Sequence, residues 1–199
     1  MRRKLLLFTA ICLILLSSCD FSDPVQIESG GKKISFRSLT VENLSNYWEN
    51  DEPVTVQGDV IPLPYGAEIQ ITFPGEVPDR RVLVDEVYSA EGDRLFGRQS
   101  AKWLAGEFLS ADGNILSFPV KENTSAGDAA SYEEEQTFQR TYRLIYQEEP
   151  GQDFHVLEFM IIVEPLDVRT DSALFYREEE LEQGALIKEH FFEQRLDLQ

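Results

Sequence analysis

Beyond its first 33 residues the chain reads as an all-β protein, an antiparallel β-sandwich with an immunoglobulin-like topology as the leading expectation and a C-terminal extension of unsettled structure. Three observations predict this. Short runs rich in Val, Ile, Phe and Tyr alternate with polar residues at a period of two. Gly, Pro and Asp turn chemistry separates them at fairly regular spacing. No helical pattern of 10–15 residues is interleaved, as a parallel βαβ arrangement would require. The Cys…Trp…Cys signature is absent, so the topology rests on strand count and spacing. A Greek-key or up-and-down barrel would write much the same string.

Taken in order, residues 20–33, "DFSDPVQIESGGKK", mix Ser, Asp, Pro and Gly without apolar periodicity and read as a flexible tether. The sandwich is expected over residues 34–165. "KISFRSLTV" offers Ile34, Phe36 and Leu39, and "PVTVQGDVIPL" offers Val54, Val56 and Val60. "AEIQITFP" is the cleanest strand, with Ile69, Ile71 and Phe73 on one face and Glu68, Gln70 and Thr72 on the other. Val82 to Tyr88 predicts another strand, followed by a turn at Glu91-Gly92-Asp93.

"EFLSADGNILSFPV" reads as a hairpin with Asp112-Gly113 at its tip. "TYRLIYQEEPGQDFHVLEFMIIVEP" reads as a second, bending at Pro150-Gly151. Its outgoing arm, Val156 to Val163, is nearly continuous apolar and should be a central strand buried on both faces. Residues 121–136, polar and acidic, suggest a long exposed loop or crossover. In the extension, residues 166–199, Glu178 to Gln183 favour helix, whereas Ala185 to Phe192 fit neither period well. An added hairpin, a helix docked on the sandwich and a partner-binding segment all stay open.

The first 18 residues tell a different story. Met1-Arg2-Arg3-Lys4 is a compact positive cluster, and Leu5 to Leu16 form an apolar run of twelve. That is shorter than the roughly 20 residues a spanning helix needs, and it matches the n-region and h-region of a removable signal peptide. The small residues Ser17 and Ser18 follow, and then Cys19. Leu16-Ser17-Ser18-Cys19 resembles the lipobox of bacterial lipoproteins. The resemblance implies that the Cys19 thiol is joined to diacylglycerol, that residues 1–18 are cut away, and that Cys19 heads a tether ending at residue 33. Cys12 is a poorer match because bulky Ile11 precedes it. Asp20 sits where some lipoproteins of two-membrane bacteria carry a sorting residue, which leaves inner or outer membrane undecided.

Charge bears on the same question. Loss of residues 1–18 removes three basic groups and no acid, leaving 15 basic against 36 acidic residues, a net of −21. Such a surface is repelled by nucleic acid and by anionic lipid. Nucleic acid is therefore excluded as a partner, and membrane attachment falls to the lipid at Cys19. With Cys19 acylated no cysteine remains for a disulfide, a thiol nucleophile or a metal site. The 42% hydrophobic content, with 13 Phe and 7 Tyr, is too high for a disordered chain despite the charge.

Candidate chemistry is sparse. His155 and His190, the two histidines, have no metal-ligand spacing. No G-x-S-x-G, P-loop or G-x-G-x-x-G is present, and Ser100, Ser110 and Ser117 have no histidine at a motif spacing. Asp85-Glu86 is the carboxylate pair that most invites a role, since adjacent strand residues face opposite sides. Asp59, Asp112 and Asp128 are weak calcium candidates on sandwich loops. Tyr47 and Trp48, and Trp103, are the candidate binding residues, provided the first two stand on an exposed loop. No cofactor is expected. The expectation is a lipid-anchored, extracytoplasmic, non-catalytic binding module of the cell envelope, with a protein or glycan partner. The alternatives are an envelope glycan hydrolase using carboxylates and a cation or small-ligand receptor.

Overall fold

The alternating strands assemble as their period demands, in pairs whose apolar faces meet. The computed structural model describes residues 25–49, 54–89, 101–121, 138–163 and 174–193. Eleven strands among them form two sheets. The first sheet runs β2-β1-β5-β9-β8, from β1 (Gln26–Ser29), β2 (Lys32–Lys33), β5 (Glu68–Thr72), β8 (Ser110–Asp112) and β9 (Ile115–Pro119). The second runs β3-β11-β10-β6-β7, from β3 (Phe36–Val41), β6 (Arg80–Ser89), β7 (Lys102–Ala105), β10 (Phe138–Gln147) and β11 (Phe154–Val163). β4 (Ile61–Leu63) adds to β11 in parallel, and every other pairing is antiparallel. The architecture is the expected two-sheet sandwich. Its strand order does not establish the finer immunoglobulin-like topology.

Ile69, Ile71 and Phe73 of the first sheet meet Leu83, Leu144, Leu157, Phe159 and Ile161 of the second in one apolar core. The second sheet has a further layer on its other face. Helices α1 (Leu44–Glu49) and α2 (Glu178–Glu193) cover it through Leu44 and Phe191, which pack on Val82, Val84, Ile145 and Val156. β6, β10 and β11 are therefore buried on both faces, which accounts for the near-continuous apolar sequence of β11. β11 lies between β10 and the pair β3 and β4, the central position its sequence predicted.

Both hairpins form. The first turns one residue later than expected: Asp112 pairs with Ile115, so Gly113 and Asn114 are the loop. Gly113, at φ 59°, is the loop residue needing the left-handed region. In the second, Gly151 takes φ 85° at the bend between β10 and β11. Residues 54–60 are irregular, and the strand expected there begins only at Ile61.

The tether is shorter than the sequence suggested. Gln26–Ser29 is a strand paired to β5, and Lys32–Lys33 returns beside it, so folded structure begins at least eight residues before Ile34. Ile27 and Ile34 are core residues. In the extension, Glu178–Glu193 is a continuous helix docked mainly on β7, with contacts to β6 and α1. Gly184 obscured it. A Cβ built there would lie 1.7 Å from the Trp103 carbonyl oxygen, so only glycine lets the helix approach the strand this closely. The turn at 91–93, residues 122–137 and 164–173 lie outside the described residues.

Candidate functional site

The three candidate aromatics come together, but not on a loop. Asn43 caps α1, its Oδ1 accepting from the backbone N–H of Ser45 at 2.8 Å and of Asn46 at 3.3 Å. The helix thus fixed carries Tyr47 and Trp48, both half-buried, over the second sheet. Trp48 lies 6.0 Å from Tyr47 and 5.0 Å from Trp103, ring centre to ring centre, and Phe192 of α2 is 5.9 Å from Trp103. Trp103 is 4% exposed. These rings glue two helices to a sheet. The expectation of exposed loop aromatics is corrected accordingly.

Beneath Tyr47 and Trp48 runs a row of charges across four strands. Arg37 of β3 stands opposite Glu158 of β11, which stands opposite Arg143 of β10. Arg37 Nε donates to Glu158 at 2.6 Å and Arg143 Nε to the same carboxylate at 3.3 Å. Arg143 also pairs with Glu86 of β6, and the Tyr47 hydroxyl donates to Glu158. The Arg143 guanidinium lies 5.4 Å from the Trp48 ring centre. Burial, and secondarily the Glu158 charge, raise the Tyr47 phenol above its ordinary value, so it remains a hydrogen-bond donor.

A second ion pair lies inside the sandwich. Arg140 and Asp85 are both fully buried and form a two-pronged pair, Nε to Oδ1 at 3.0 Å and Nη2 to Oδ2. The Tyr176 hydroxyl donates to the same Oδ2 at 2.7 Å. Burial works against the Arg140 charge, but the Asp85 carboxylate together with Tyr142 and Tyr176 more than offsets it and holds the guanidinium well above its ordinary pKa. Desolvation, and then the Asp85 charge, push the Tyr176 phenol well up.

Strand parity explains both clusters. Asp85 and Glu86 are neighbours on β6 and face opposite sides; Arg140 and Arg143 are three apart on β10 and do likewise. The expected opposition of the two acids holds, but neither is solvated, because both faces of this sheet are covered. Two carboxyls on opposite faces cannot converge on one substrate. Sequence reasoning passed over Arg140, Arg143 and Glu158. The available signal was two arginines within an apolar strand, matched by two acids in a neighbouring one.

The other candidates scatter. Asp59 and Asp112 are exposed, the first before β4 and the second on the edge strand β8. Among the described residues no group of three or more His, Cys, Asp or Glu side chains could hold a metal. His155 stacks on Tyr146 with ring centres 5.1 Å apart. His190 is exposed in the last turn of α2. Cys19, Ser100 and Asp128 lie outside the described residues, among which no helix is long and apolar enough to cross a membrane.

Two half-open clefts lie at the surface of the described residues. One, of about 310 Å³, lies between Phe73, Pro74, Val77, Pro78 and Tyr146. The other, of about 260 Å³, is lined by Val25, Ile27, Lys33, Ile34 and Phe36. No protein-family model matches the chain, and no curated protein matches it.

Proposed function

We propose that the chain is a lipid-anchored protein of a bacterial cell envelope, held by acyl chains on Cys19 at an extracytoplasmic membrane face, where it acts as a non-catalytic interaction module. The observation that carries this reading is the run Leu16-Ser17-Ser18-Cys19 placed directly after a basic cluster and a twelve-residue apolar stretch. Charge supports it. A mature chain of net −21 gains nothing from electrostatic adhesion to anionic lipid, whereas two buried acyl chains attach stably.

The sandwich suits that setting. Its core is built from packing between two sheets and a helical layer, joined by the Arg140–Asp85 and Arg143–Glu158 ion pairs. Tyr47, Trp48 and Trp103 are spent on internal packing, so an interaction would use the outer surfaces and strand edges. The test is cross-linking in intact cells, with the native chain compared against Cys19→Ala. A defined envelope component captured only by the native chain supports an anchored interaction module. Equal membrane retention of Cys19→Ala contradicts the anchor.

A further inference from the structure

We infer that the β1–β2 hairpin is the membrane-facing end of the domain, turned toward anionic lipid headgroups of the leaflet that holds the anchor; this rests on the lipid attachment proposed above. The first support is reach. Seven residue steps separate Cys19 from Gln26, a span of at most about 25 Å. The four residues of β1 then place the hairpin tip within roughly 14 Å of the tether's entry. So short a tether lets this end of the domain come within the range of the leaflet's surface potential, about 8–10 Å at ordinary salt.

The second support is charge. An acidic body near an anionic leaflet lowers its energy by presenting its least negative face. The hairpin supplies one. Lys32 and Lys33 are exposed, with Glu28 opposite Lys33 as the carboxylate of residues 26–34, so this segment is net +1 on a mature chain of net −21. The effect selects orientation and does not create attachment, which is consistent with an acidic chain needing a lipid.

Shape is the third. Gly30 and Gly31 turn the hairpin at φ 55° and 75°, and a Cβ at either would touch nothing within 4 Å, so the turn faces open space. Beside it lies the cleft of about 260 Å³, lined by Val25, Ile27, Ile34 and Phe36 together with Glu28 and Lys33.

The experiment uses the acylated protein in vesicles of phosphatidylglycerol or of phosphatidylcholine. A membrane-impermeant amine reagent labels it, and peptide mass spectrometry reads the rate at each lysine. A lysine close to an anionic leaflet gains roughly fivefold in occupancy. Labelling of Lys32 and Lys33 should therefore slow by up to about fivefold in phosphatidylglycerol alone, while Lys188 of α2 keeps the same rate in both vesicles. Salt at 0.5 M, a condition of the assay chosen to collapse the surface potential, should abolish the difference. Equal rates in the two vesicles, or equal slowing of every lysine, would overturn the orientation. A Cys19 peptide without lipid mass in the same spectra would overturn the proposed anchor, and the orientation with it.

Discussion

Asp85→Leu and Arg140→Met, made singly and together, probe the pair inside the sandwich. Both side chains are fully buried, and Tyr176 adds a hydrogen bond to the carboxylate. Removing one partner strands the other charge in an apolar layer, which costs about 3–5 kcal/mol. For a chain of this size that corresponds to roughly 6–20 °C in Tm, at about 2–4 °C per kcal/mol. Replacing both removes the stranded charge. Apolar substitutes of similar volume are often neutral or better than a buried ion pair, against about 1–3 kcal/mol for the Tyr176 hydroxyl left without its acceptor. The double variant should therefore fall within about 2 kcal/mol of the native protein, with a coupling of at least about 3 kcal/mol between the sites. Urea unfolding of the four proteins measures this directly. Single variants that each lose under about 1 kcal/mol, or losses that simply add, would refute the claim that these charges form one buried unit.

Three further perturbations test the helical layer. Gly184→Ala should lower stability by about 1–3 kcal/mol because the new methyl meets the Trp103 carbonyl, whereas helix propensity alone predicts a gain of about 1 kcal/mol; the sign of the Tm shift decides. Burial alone would raise the Glu180 carboxyl, but the Lys121 ammonium at 2.8 Å and the Arg177 backbone N–H hold it below its ordinary value. A lowered folded pKa stabilises fully above the unfolded value of about 4.3 and is lost as pH falls through the folded one, so the stability advantage over Lys121→Met should be largest near neutrality and close below about pH 4. Phe191→Ala removes a ring that packs on Phe154 at 5.7 Å, and should cost about 3 kcal/mol and shift tryptophan emission to the red as the cover over Trp103 loosens. Unchanged emission would mean that α2 does not shield that ring.

What could be read from the sequence divides along physical lines. β5, the two hairpins and the central position of β11 follow from local alternation and turn residues, which act within a few positions. α1 has six residues, too few for a helical period to register, and it depends on the Asn43 cap and on the sheet beneath it. α2 is interrupted by a glycine whose reason, the close approach to β7, is a tertiary fact. β1 and β2 resemble a linker because Gly30, Gly31 and two lysines dominate the composition, while their apolar burial comes from Ile27 and the following Ile34. The site suffered most. Tyr47, Trp48 and Trp103 do come together, on α1 and β7 and not on a loop; exposure cannot be read from residue type. The charge row beneath them was hidden because it depends on register across four strands and on the layer that covers it.

The measurement that tests the account most directly is the intact mass of the protein extracted from the membrane fraction of its own cells. A chain beginning at Cys19 and carrying the added mass of a diacylglyceryl group is the predicted result. A chain that retains residues 1–18, or one cut elsewhere with a free Cys19 thiol, would contradict it.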